Sequence, residues 1–540
     1  MTVPEAASPV PSVPPGRPPA PPAPPAWSVA PGTGTGPATG VGPGAGPLTA
    51  LPRPPGSLAL AVAEFWRERG RVAPVTTLVT CGVVGIAGAV LLVGHRLGLG
   101  AALVGLAVWA AAVPALVRRR AVGDLVTASL AVALVGMVAV RDAGWVVALC
   151  VATAAGVTAV AATSARSAPA VLLSGASWVA GAFRALPWVG RGIGNLAGTR
   201  RGQVLGALRS VAITVVLLTV FGLLFASADK VFASYLPHLD ADLLPGQVVV
   251  GLLVAVVVAT LAHLALAPPG WSNLRPAPGR PARRGEWLLP VLALDAMVLA
   301  FVLVQVGGLV DGHGHILETV GLTYAQYARE GFAQLVVATA LTLAVVAVAA
   351  RRAPRESERA RMISRTALGF LCVGTLGVVG SALRRMDLYV EAFGMTRLRL
   401  FVVVVEVALA AVLLLVMVAG VRWRGGWLPR AVVQVVGVAV LGLALANPDA
   451  LIVRYNTPAD LDIALDVSYL QGLSADAVPA IERLAEPLRS CVLEAVVVDP
   501  SAGLADWNLS RAQADRALTA GAPIGTQVGS ACARYDVSGR

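Results

Sequence analysis

The chain has 540 residues, 56% of them hydrophobic and 13% charged, with a net charge of +12 and a mean hydropathy of +0.75. Soluble globules carry about a quarter charged residues, so this composition excludes a soluble enzyme and marks a polytopic membrane protein. The basic charge is nearly all arginine, Lys230 being the only lysine, and most of it flanks apolar segments, where it anchors helix ends to a membrane surface; it does not read as a nucleic-acid site.

In chain order, residues 1–57 hold 18 of the 38 prolines and no basic-then-apolar signal peptide. They read as a disordered Pro/Gly-rich cytoplasmic tail, in which runs such as Pro18-Pro19-Ala20-Pro21-Pro22 serve as a solvated tether or as a docking strip for protein partners. Residues 58–72 follow as an interfacial helix, capped by Ser57, with Leu58, Val62, Phe65 and Trp66 on one face.

Residues 75–446 are the transmembrane region. Eleven apolar stretches near the length of about 20 residues that crosses a bilayer lie at 75–94, 97–117, 125–140, 144–163, 210–227, 247–267, 287–310, 333–350, 366–383, 398–420 and 431–446. Every second connection is rich in arginine: those on one side hold 25 basic residues, and those on the other hold 8. By the positive-inside rule the N-terminus is inside and the C-terminus outside. Within the long inner connection, 171–195 is amphipathic and predicts a helix on the inner leaflet, broken near Pro187; a re-entrant loop is the alternative.

Residues 447–540 change character, with 12 acidic residues against 7 arginines. They read as a small, mainly helical extracytoplasmic domain. Thr457-Pro458-Ala459-Asp460 predicts a helix start running to about 470, Ser474 caps a second helix to about 484, and 506–518 suggests a third. Cys81, Cys150 and Cys372 fall within spans, whereas Cys491 and Cys532 are the two in this outer segment and predict one disulfide in an oxidising compartment.

Two outer connections carry the same pattern, Glu318-Thr-Val-Gly321-Leu-Thr323 and Glu391-Ala-Phe-Gly394-Met-Thr396, 73 residues apart. Their equivalent placement suggests duplication of a two-helix unit, and Gly followed by Thr suits a helix stop and the next cap. The stretches Leu224-Phe-Ala-Ser-Ala-Asp229-Lys-Val-Phe232, 321–332, 386–399 and 466–479 resemble bacterial membrane proteins of domain of unknown function 4173, with relatives in 4153. The resemblance covers about residues 75–520 and implies a polytopic inner-membrane protein, hence a multi-pass protein of the bacterial plasma membrane, with no established reaction.

Candidate site residues fall into three sets. Asp295 and Glu406 are intramembrane carboxylates, each about eight residues or ~12 Å into a span, and such groups mark proton or ion pathways unless they merely hydrogen-bond a neighbouring helix. Asp229, Glu318, Gly321, Thr323, Arg329, Asp387, Glu391, Gly394, Thr396 and Arg397 gather at outer span ends, as a rim for a solute, lipid headgroup or partner, or as helix-end pairs such as Arg329 with Glu318 and Arg397 with Asp387. Finally, His313 and His315 with Asp311 form only a weak metal candidate. No metal or other cofactor is expected, and a Walker loop, a dinucleotide-binding glycine pattern, a His-Glu-x-x-His helix and a nucleophile elbow are absent from the sequence. The partners expected are the lipid bilayer and proteins at the proline-rich tail and outer domain. The functional expectation is a non-enzymatic membrane protein, either a proton-coupled transporter or lipid-handling protein, or an envelope or signalling scaffold.

Overall fold

The computed structural model describes Leu60, Ala63 and residues 72–119, 121–228, 241–273, 284–310, 332–354, 356–457, 465–496 and 503–520, and every regular element among them is helical. Ten of these helical segments are long and apolar enough to cross a membrane, so the chain is a multi-pass membrane protein. Of the predicted interfacial helix only Leu60 and Ala63 are described, both helical and exposed, and residues 1–57 lie outside the described part.

The first group of helices comprises α1 (Val75–Leu92), α2 (Leu99–Ala107), α3 (Val113–Arg119), α4 (Val122–Gly136), α5 (Gly144–Thr163), α6 (Ala168–Ala228) and α7 (Leu244–Leu266), joined by α12 (Leu428–Ala446). Its core is aliphatic, with Leu116, Leu134, Val146, Leu261 and Ala444 fully buried. α1 and α7 nearly touch backbones, since a Cβ on Gly85 would lie 2.9 Å from the Gly251 carbonyl oxygen. Where lipid surrounds a bundle, such close packing of small residues replaces the hydrophobic driving force.

The second group comprises α8 (Arg284–Val310), α9 (Phe332–Arg352), α10 (Glu358–Phe393) and α11 (Arg397–Arg422). α8 and α10 run in the same direction: Gly374 abuts Val298, Gly377 abuts Val302, and Ser381 donates to Gln305 Oε1 at 3.0 Å. The two groups meet where α11 packs on α12.

Five short helices, α13 (Pro448–Asn456), α14 (Val467–Gln471), α15 (Val478–Ile481), α16 (Leu488–Ala495) and α17 (Leu509–Ala520), close around Ile452, Leu470, Ile481, Cys491 and Val492. This C-terminal cluster sits on the helix ends at residues 97–100, 138–143, 395–397 and 444–447, which defines a cluster face. The opposite ends carry Arg119 and Arg430, partly buried in a knot around the buried Asp124: Arg430 Nη2 lies 2.6 Å from Asp124 Oδ1, Ser164 donates to Asp124 Oδ2 at 2.6 Å, and Arg119 donates to Ser164 and to the Ala162 and Leu264 carbonyls. This is the arginine face.

Three sequence expectations need correction. The stretch 97–117 is two helices, α2 and α3, separated by a tight turn at 108–112 that buries Trp109; Pro114, in the first turn of α3, sits where its missing N–H costs nothing. The chain does not break at Pro187, because α6 is continuous over 61 residues: Ala185 and Trp188 are both buried against neighbouring helices, and that packing outweighs one lost backbone bond. Its first half is long and apolar enough to span, and it packs on α1, α5 and α7, with Ala185 against Cys81, Val84 and Val258. Trp178 Nε1 donates to the Ala155 carbonyl at 3.2 Å, Gly181 abuts Thr260 and Leu264, and Gly192 abuts Ala73 and Leu78. Finally, the helix predicted from Thr457 does not run unbroken to about 470, since Leu465 and Asp466 are not helical; the Thr457 hydroxyl donates to the Val453 carbonyl at the end of α13. The start signal that operates is ten residues earlier, where Asn447 caps Ala450 N and Pro448 occupies the first turn; residues 458–464 lie outside the described part.

Candidate functional site

Glu406 lies in the second turn-and-a-half of α11, flanked by Val405 and Val407, and is completely buried. Both of its carboxylate oxygens lack a hydrogen-bond partner, as does Asp295 Oδ1 on α8. The two acids are carried by helices on either side of α10, and no hydrogen bond or ion pair joins them among the described residues. Asp295 lies within electrostatic range of Cys372 on α10. His263 packs against Trp188, with ring centroids 5.1 Å apart and the rings tilted at 53°. A carboxyl in the setting of Glu406 is costly when ionised and cheap when protonated.

Above Glu406 the hairpin of α10 and α11 opens into a cavity of about 490 Å³. Its walls are Leu383, Met386, Val390, Leu400 and Val403, and its polar groups are Arg384, Asp387, Arg399 and Tyr455. The hairpin itself is set by local chemistry. Gly394, at φ 74°, stops α10, and Thr396 caps α11 by accepting from Arg399 N. Arg399 then folds over the Tyr389 ring, 4.1 Å from its centroid, while Nη1 donates to the Phe393 and Gly394 carbonyls. Arg384 pairs with Asp387 at 2.6 Å. Burial, together with Glu391 and Asp387 nearby, raises the Tyr455 phenol above its ordinary range.

The third locus is a polar clasp under the C-terminal cluster, which sequence reasoning missed. Arg397 does not pair with Asp387; it grips Asp449 through Nε at 3.0 Å and Nη2 at 2.6 Å, and its backbone N–H donates to Tyr469 Oη. Asp449 also accepts from the Ser474 backbone and hydroxyl. Burial pushes its carboxyl up, but Arg397 and Ser474 together hold it below the usual aspartate range. Asp476 accepts from the backbone of Asp142 and Ala143 and from the Ser510 hydroxyl, with Arg141 Nη1 at 3.8 Å. There burial wins, and the Asp476 carboxyl is raised. Arg511 completes the clasp by pairing with Asp142 at 2.6 Å. The only sequence signal for any of this was the Asn447-Pro448-Asp449 helix start; partners 52 and 334 residues apart leave none.

Of the other predicted residues, Asp387, Glu391, Gly394, Thr396 and Arg397 share the α10–α11 turn region, whereas Asp229, Glu318, Gly321, Thr323, Arg329, His313 and His315 lie outside the described residues. No group of three or more metal-binding side chains occurs among the described residues. Cys491 is disulfide-bonded, Cys81, Cys150 and Cys372 are free, and Cys532 lies outside the described part.

Among known proteins, the family described as a domain of unknown function, DUF4153, matches residues 128–484. No curated protein and no solved structure matches.

Proposed function

The chain belongs to the DUF4153 family, and from that premise we propose that it is a proton-coupled membrane transporter or lipid-handling protein with Glu406, assisted by Asp295, as the proton site. The observation that carries this reading is the fully buried, unpartnered Glu406 carboxyl beneath an open cavity. Carboxyls at membrane depth that neither pair nor touch water are retained where protonation is part of the work. The parallel run of α8 and α10 supports the duplicated two-helix unit, and related repeats packed side by side are a common transporter architecture. The orientation, with the C-terminal cluster outside a bacterial plasma membrane, and a nearer kinship with family 4173 belong to the same proposal.

The test is complementation. Asp295→Asn with Glu406→Gln is expected to abolish rescue of a deletion strain at normal protein levels, and dicyclohexylcarbodiimide is expected to label Glu406 in the wild type, less so as pH rises. Full rescue by the double variant would overturn the reading. The clasp supports a second reading, an envelope or signalling scaffold, in which the C-terminal cluster and the proline-rich tail hold protein partners on opposite membrane faces; under it the double variant keeps full function.

A further inference from the structure

The cavity between α10 and α11 combines features that an ordinary lipid-facing crevice lacks. Its walls are aliphatic along both helices, yet it contains two guanidinium groups, one carboxylate and a phenol. Its position explains the mixture. α10 is 36 residues long, or ~54 Å at about 1.5 Å per residue, far more than a hydrocarbon core of about 30 Å. Counting ~20 residues from Thr366, where the basic start of α10 gives way to apolar sequence, reaches Arg384, Arg385 and Asp387. On α11 the same boundary falls between Arg399 and the apolar run that begins at Leu400. The cavity therefore straddles the membrane surface on the cluster face.

Both guanidiniums retain binding capacity. Arg384 is half-exposed, with Nη1 on Asp387. Arg399 is oriented by the Tyr389 ring and uses Nη1 for the two carbonyls, which leaves its other edge for a ligand. Two arginines at an interface, above an apolar trough, match a phosphate ester carrying acyl chains. We propose that this cavity is a binding site for a phospholipid of the adjacent leaflet, its phosphate held by Arg384 and Arg399 and one acyl chain lying on Met386, Val390, Leu400 and Val403. The inference deepens the reading above by naming a ligand class and rests on it for its role. Val403 is one helical turn from Glu406, so an occupant of the trough lies directly over the proton site.

Native mass spectrometry of the full chain in detergent, titrated with dioleoyl phosphatidylglycerol, tests this. The wild type is expected to retain one lipid more tightly than the rest, and occupancy of that first site should fall at least fivefold in R384Q/R399Q. Because Arg399 also holds the helix turn, Val403→Trp provides an independent variant: it fills the trough, keeps both arginines and should lose the same lipid. Equal occupancy in the wild type and both variants would overturn the proposal. So would equal retention of diolein, which lacks the phosphate, or displacement by glycerol 3-phosphate at matched concentration, which would mark a soluble phosphate site. Glu406→Gln should keep the lipid, so failure of the proton reading and failure of this one are separately visible.

Discussion

At the scale of single residues, the membrane carboxylates and the clasp carboxylates solve the burial problem in opposite ways. Glu406 is buried with no hydrogen-bond partner among the described residues, whereas Asp449 is held ionised by Arg397 and Ser474. Removing one member of a buried ion pair leaves the other uncompensated. Arg397 is about one-third exposed, so Asp449→Ala is expected to cost about 2 to 3 kcal/mol rather than the 3 to 5 of a fully buried pair, read as a lowered Tm in detergent; an unchanged Tm would show the pair to be idle. The pH dependence follows from the directions of the two shifts. Asp449 lies below its unfolded value, so its stabilisation is complete above an ordinary aspartate pKa of about 3.9 and is lost as pH falls through its lower folded value. Asp476 lies above it, so its contribution is present at low pH and lost as pH rises through the raised value. Acid release of the clasp is thus an Asp449 property, and Asp449→Asn should flatten the acid limb of a Tm-versus-pH profile. Sequence reading assigned Arg397 to Asp387 because helix-end neighbours are the only pairs a local pattern shows. Nor does a local pattern reveal Asp124, whose buried carboxyl is central to the arginine-face knot through the remote Arg430.

At the scale of elements, hydrophobic runs and caps were legible where the physics is local. Thr396, Gly394 and Ser474 take capping or stop positions of the kind their residue types predict, and the amphipathic character of 171–195 was visible in its pattern. Continuity through Pro187 and the split at Trp109 were not, since both depend on what packs against the helix from elsewhere. The first half of α6 counts as a span by length and apolarity alone. Leu172, Val179, Phe183, Leu186 and Ile193 form an exposed stripe, while the opposite side packs on α1, α5 and α7. We propose that a helix with this stripe lies along the membrane surface. Spin labels at L172C, F183C and I193C should therefore report one shallow depth by paramagnetic quenching. A crossing helix would instead spread those 21 residues over ~31 Å of depth, at about 1.5 Å each.

At the scale of the whole molecule, the two helix groups are joined by the α11–α12 contact and, on one face, by the C-terminal cluster. The cluster holds the first group through Asp476 on residues 142–143, through Asn508 on the Val138 and Arg141 carbonyls, and through Arg511 on Asp142. It holds the second group through Asp449 on Arg397 and through Asn456, which exchanges two hydrogen bonds with the Met395 backbone. A body tied to both groups at one face limits how far they separate there and leaves relative motion to the arginine face, the asymmetry that rocking transport requires. Positions 97 and 393 carry exposed side chains near the cluster face, one in each group, so L97C and F393C labelled with nitroxides report the separation directly. The wild type should give one narrow distance distribution. Arg397→Ala should broaden it, and adding Arg511→Ala should broaden it little further, because cutting either end of a strap already frees the span between them. Additive broadening would instead mean that the cluster braces each group independently, and an unchanged distribution in both variants would mean that α11 on α12 alone fixes the two groups.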